Sequence, residues 1–325
     1  MRQIFTLGRA LSCFAACFIS IAAFAQTPEP WPTRPITMVV PFPPGGVADA
    51  VGRPVAEALT RILGQPVVVE NKAGAGGVIG TQWFVKEKAD GYTVLLATSS
   101  TNAAAPYLYS KLGFDPVNDF TPVVSLCSIP NVMVVPTKSP WNSLKDIVDA
   151  STKSPGNFTY GSAGIGGSQH LAGAQFKTTA NIDIRHVPYK GSGPAAQDLI
   201  AGHIDMMIDT GSLGSIKGGL LRPIAVASSK RLSVLPNVPT FNEAGVPMVA
   251  SAWYGLVLPA GAPEDVVNRL NTEINKILKS KEVSTRLVEM GAEVMGGTSA
   301  EFAKFTTSEL KRYEAIVKNS GAPKE

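Results

Sequence analysis

Cysteine is almost absent once the amino-terminal segment is set aside. Cys13 and Cys17 fall within residues 1–25, which leaves Cys127 alone. One thiol makes no internal disulfide, so the core must hold the fold. An excess of charge is missing too: the formal net charge of +4 falls to +2 when Arg2 and Arg9 leave with the first 25 residues. With no basic run, that balance excludes nucleic acid as a partner. Histidine is limited to His170, His186 and His203, without H-E-x-x-H or a paired-carboxylate motif, so neither a metal centre nor a cofactor is expected. There is no G-x-S-x-G elbow, and His170 follows Ser168 too closely to act as its base. The chain therefore reads as a non-enzyme. Beyond residue 25 no apolar run is long enough for a membrane span.

Residues 1–25 have the form of a secretory signal. Arg2 and Arg9 supply the charge, 10–25 is apolar, and Ala23-Phe24-Ala25 is the cleavage pattern. Lipidation at Cys17 is the weaker alternative, because Phe14 suits that motif poorly. Export leaves a mature chain from near Gln26, with about 300 residues, enough for two domains with sizeable cores.

Short apolar runs alternate with helical spacing along that chain. The first strand, 36–40, precedes a helix carrying Val51, Val55, Leu59 and Ile62 that ends at Gly64. Strands are expected at 67–70, 94–97, 131–136, 158–161, 186–189, 206–208, 224–227 and 253–259, with helices near 81–88, from Ser143, through Phe176 and through Ile200. Two amphipathic helices close the chain, the first from Pro263 and the second behind a Thr298…Glu301 capping box. The order predicts an α/β fold of doubly wound, largely parallel sheets, with ligands at the carboxyl ends of the strands.

The most informative stretch is Tyr160-Gly161-Ser162-Ala163-Gly164-Ile165-Gly166-Gly167-Ser168-Gln169-His170, between a strand and a helix. Its glycines let the backbone turn N–H groups towards an anion at a helix start. Alone it reads equally as a tight turn. A glycine-rich loop between strand and helix recurs four times, and the repetition favours an anion cradle. Gly74-x-Gly76 is not a dinucleotide turn, since the third glycine is out of register and no acid follows at the right distance. These loops hold rather than react. Ser99, Ser162 and Ser168 can donate to a carboxylate, and Lys190 can add positive potential. Asp49 and Asp209 either cap backbone N–H groups or take an amine, alcohol or water. His170 stands at the cradle's mouth, or simply bonds nearby backbone.

Further motifs run along nearly the whole chain: Trp31-Pro32-x-Arg34-Pro35-Ile36, Pro43-Pro44-Gly45-Gly46-x-x-Asp49, Asn71-Lys72-x-Gly74-Ala75-Gly76-Gly77 and Lys111-Leu112-x-x-Asp115-Pro116. They continue with Asp119-Phe120-x-Pro122-Val123, Tyr189-Lys190-Gly191, Lys230-Arg231, Leu235-Pro236-x-Val238-Pro239-Thr240 and Glu243-Ala244-Gly245. In these the chain resembles the tripartite tricarboxylate transporter receptors, the Bug-type (TctC-like) periplasmic solute-binding proteins. The resemblance implies a monomeric Venus flytrap, type II-like, with lobe one at 26–128 plus 255–325 and lobe two at 129–254. Hinge strands would lie near 131–136 and 251–259. It also implies capture of a small carboxylate for a membrane permease with large and small subunits. A receptor that docks on a sensor kinase is the alternative. Two loops would grip the carboxylate, one with Phe42, Val47 and Asp49, the other with Ser162, Ala163, Ser168, Gln169 and His170. Ala75, Gly76, Ser99, Asn102 and Tyr189 would read the far end. Val47 stands where many relatives have Ser or Thr, and 101–106 departs from a Thr-His…Asn-Pro pattern. Both make the pocket less polar, which points to a monocarboxylate, an aromatic acid or a longer dicarboxylate rather than citrate.

Overall fold

Strand β1 (Ile36–Val40) is buried almost throughout, and the chain leaves it over Pro41–Gly46 to enter helix α1 (Val47–Leu63). The computed structural model describes residues 31–320, 322 and 324, so the signal segment with Cys13 and Cys17 lies outside the described residues. Helix α1 buries Val51, Val55 and Leu59 of the face its spacing predicts, whereas Ile62, next to last in the helix, stays exposed; the helix ends where Gly64 turns left-handed at φ 70°. Strand β2 (Val67–Asn71), helix α2 (Val78–Phe84), strand β3 (Thr93–Thr98) and helix α3 (Ala105–Leu108) follow.

The chain then runs through β4 (Phe120–Pro130) and β5 (Val132–Pro136), α4 (Leu144–Lys153), β6 (Thr159–Ser162), α5 (Ser168–Thr179), β7 (Arg185–Pro188) and α6 (Ser192–Ala201). Next are β8 (Met206–Asp209), α7 (Leu213–Lys217), β9 (Leu221–Val226) and β10 (Ser251–Pro259). Helices α8 (Glu264–Lys279) and α9 (Lys281–Glu289), strand β11 (Glu293–Gly296) and helix α10 (Ser299–Ser320) end it. Among the described residues no helix is long and apolar enough to cross a membrane.

The strands form two sheets, one ordered β11-β4-β10-β3-β1-β2 and the other β7-β6-β8-β5-β9. This is the expected two-lobed α/β architecture, but each sheet is mixed. β1, β2 and β3 are parallel, and β6 is parallel to β7 and β8. β10 is antiparallel to β3 and β4, and β5 to β8 and β9. The chain leaves the first sheet along β4 and returns along β10, so the two neighbours must point opposite ways. Where the chain passes between the sheets, Asn131 N donates to Ala250 O at 2.9 Å, and Ala227 N to Asn131 O at 2.8 Å.

One core packs α1, α8 and α9 on the first sheet, through Leu59, Leu270, Ile274 and Leu287. A second packs α4 and α5 on the other sheet around Phe176, Tyr160 and Met133. A third joins the two, since Leu171 of α5 packs with Trp253, Phe302, Tyr313 and Val317. Each fully buried aliphatic or aromatic side chain contributes about 1.5–3 kcal/mol.

Candidate functional site

Helices α1, α5 and α6 begin at glycines: Gly46, Gly167 and Gly191. None of these three starts carries a side-chain cap. Three other helices are capped by side chains, Ser143 on α4, Ser280 on α9 and Thr298 on α10. The uncapped starts leave first-turn N–H groups without an internal partner, at the positive end of each helix dipole. All three face one cavity of about 490 Å³. That volume lies within the usual range for small-molecule pockets.

Loops from both sheets close this cavity. A Cβ added at Gly76 would lie 3.3 Å from the Ile165 carbonyl oxygen, and one at Gly166 would lie 2.6 Å from Leu108 Cδ1. Gly76 and Gly166 have φ of 62° and 77°, which glycine tolerates without strain. Ala75, beside Gly76, holds φ at 46°, an uncommon conformation for a residue with a side chain.

Ten of the expected residues line the cavity: Phe42, Val47, Ala75, Gly76, Ser99, Ala163, Ser168, Gln169, Tyr189 and Lys190. Lys190 is the one charged side chain among the lining residues. The Tyr189 hydroxyl donates to Asp198 at 2.7 Å, and burial followed by this partner pushes its pKa up to about 12.

Asp49, Asn102, Ser162, His170 and Asp209 are not on the wall, and each has a physical reason. Asp49 accepts from Gly45 N–H at 2.9 Å, Arg53 Nε at 2.8 Å and Asn71 Nδ2 at 2.9 Å. Burial alone raises its pKa, but hydrogen bonds from Arg53, Gly45 and Asn71 and the charge of Arg53 together hold it below the usual carboxylate range. Asn71 also donates to Phe42 O at 3.0 Å, so this cluster fixes the first loop from behind. Asn102 turns inward to accept from Thr101 Oγ1 at 2.7 Å. Ser162 Oγ pairs with His186 Nε2 at 2.6 Å. His170 Nδ1 accepts from Gly166 N–H at 3.2 Å, and its ring stacks on His186 with centroids 4.1 Å apart. Desolvation lowers His170 to about 4. Desolvation, then the neighbouring His170, lowers His186 to about 3. His170 thus bonds nearby backbone, the plainer of its two sequence readings. Asp209 accepts from Gln169, Ser192, Ser212 and Gly211 N–H, which saturates it behind the wall.

Sequence reasoning missed Ser192, Thr210 and Tyr254 on the wall. Ser192 follows Gly191 at the start of α6, a position that the fourth glycine-rich loop already marked. Thr210 and Tyr254 meet only because the end of β8 and the start of β10 reach the same cleft, and no local pattern carries that.

The family model described as "Tripartite tricarboxylate transporter family receptor" matches residues 51–322. An R. palustris protein solved with adipate is 36% identical with a TM-score of 0.87, over 90% of this chain and 99% of that one. The periplasmic binding protein BugD is 32% identical with a TM-score of 0.84, over 91% of this chain and 100% of its own. MatC from Rhodopseudomonas palustris, solved with bound malate, is 32% identical with a TM-score of 0.82, over 88% of this chain and 99% of its own.

Proposed function

The chain belongs to the tripartite tricarboxylate transporter receptor family, a family of solute-binding receptors, and from that premise we propose that it captures a small carboxylate in the periplasm. It then hands the ligand to a membrane permease of one large and one small subunit. Residues 1–25 direct export. Lobe one comprises the first sheet with its helices, lobe two the 131–250 stretch, and the two move about the crossings at Asn131 and Ala250.

The observation that carries this reading is the meeting of three uncapped helix starts at one cavity closed by loops from both sheets. First-turn amides of α1 and α5 and the Ser168 hydroxyl hold the carboxylate. Hydrogen bonds to a charged group contribute about 1.5–3 kcal/mol each, so a few of them support micromolar binding after the entropy of closure. Ala75, Gly76, Ser99 and Tyr189 read the other end. The adipate and malate in the related structures support a carboxylate of this size. The apolar Val47 on the wall favours a monocarboxylate, an aromatic acid or a longer dicarboxylate over citrate.

Thermal unfolding of the mature chain against mono-, di- and tricarboxylates and aromatic acids tests this. A ligand that binds only the folded state adds about 2.7 kcal/mol at a hundredfold excess over its Kd. A raised Tm with one class of acid is expected, and no shift with any acid overturns the reading.

A further inference from the structure

Gln169 stands one residue into α5, on the cavity wall, and is only 7% exposed. Its amide nitrogen is spent. Nε2 donates to Ser192 Oγ at 3.1 Å and to Asp209 Oδ1 at 3.0 Å. Ser192 Oγ donates in turn to the same carboxylate oxygen at 2.7 Å, which closes a ring of three groups. The other Asp209 oxygen takes Gly211 N–H at 2.9 Å and Ser212 Oγ at 2.7 Å. A carboxylate in this network only accepts, so the amide nitrogen must face Asp209 and the amide oxygen must face away.

That oxygen accepts no hydrogen bond from any described residue. It lies 3.1 Å from the position that a Cβ on Gly167 would occupy, over the open N-cap of α5. The same end of the cavity therefore presents free amide donors and one amide oxygen that no protein group bonds. A plain carboxylate satisfies the amides and leaves that oxygen without a partner once the site closes over the ligand, which is costly.

Resting on the carboxylate-receptor reading above, we propose that Gln169 selects acids that carry a hydrogen-bond donor, hydroxyl or ammonium, on the carbon next to the captured carboxylate. The donor must sit there because the acceptor and the amides share one helix start. Ser192 and Asp209 act through Gln169, as positioning residues that fix which way its amide points.

Calorimetric titration of the mature chain near neutral pH tests this with two matched series. One is succinate, malate and aspartate; the other is adipate, 2-hydroxyadipate and 2-aminoadipate. In at least one series a substituted acid is expected to bind about tenfold tighter than its plain parent, and the hydroxy and amino members show which donor serves. In Gln169→Met, shown by circular dichroism to be folded, that ratio falls to near one. Gln169→Leu gives the same reading if the first variant does not fold. Equal binding of plain and substituted acids by the wild-type chain overturns the proposal alone, as does a preference that survives in either variant. Failure of every acid to bind overturns the receptor reading and this proposal with it.

Discussion

Ser162 and Ser168 sit six residues apart at the two ends of one loop, yet the structure gives them different work. Ser168 lines the cavity, whereas Ser162 is spent on His186. Ser168→Ala is therefore expected to weaken carboxylate binding about tenfold, measured by calorimetry. Ser162→Ala instead strands a ring nitrogen and lowers stability by about 1–3 kcal/mol, measured by urea unfolding. If Ser162→Ala weakened binding as much as Ser168→Ala at unchanged stability, this division would be wrong. The stacked histidines add a pH dependence. His170 is held near pKa 4 in the fold against an ordinary 6.5, so between those values the unfolded chain binds the extra proton. Stability is then full above about pH 6.5 and falls towards pH 4 by up to about 1.4 kcal/mol per unit from this group. Urea unfolding at pH 7 and pH 5 checks the sign, and His170→Gln should flatten the slope.

At the level of elements, α5 lies so close to the second sheet that a Cβ on Gly173 would come within 2.1 Å of the Tyr160 ring. Helix propensity alone says Gly173→Ala stabilises by about 1 kcal/mol. The clash is with a ring already packed against His186, in a core that has no room to give. A lowered Tm is expected, and a raised one would mean the helix shifts freely. Such packing is invisible in sequence, where Gly173 is a helix-weakening residue and nothing more. The spacing of Val51, Val55 and Leu59 was legible because one face of α1 meets one core. β4 and β11 were not foreseen. Pro122 and Pro130 punctuate β4, and β11 has four residues of half-exposed alternation. The glycine loops of the site were readable because left-handed backbone needs glycine. Which carboxylates would be saturated from behind was not, since Asp49 and Asp209 gather partners up to 40 residues away.

At the level of the whole molecule, contacts between Gly76 and Ile165 and between Gly166 and Leu108 place the two sheets' loops against each other around the cavity. A bound acid should favour this closed form over an open one. Small-angle scattering is expected to show a smaller radius of gyration with ligand than without it. Identical profiles would mean that the lobes do not move. Helix α10 limits how that motion can run. Phe302, Tyr313 and Val317 pack with Leu171 of α5, so the two sheets are joined at the back as well as at Asn131 and Ala250. Any opening is therefore expected at the mouth.

The three bare helix starts have one more consequence, for how such a receptor changes its diet over generations. On the proposed reading the groups offered to the acid are main-chain amides, and a substitution alters a side chain while leaving the peptide unit in place. Appetite for carboxylates is thus hard to lose by point mutation so long as the glycines keep their turns. Taste among carboxylates hangs on a few exchangeable side chains such as Val47 and Gln169. One scaffold can be handed a new nutrient without first being taught again how to hold an acid.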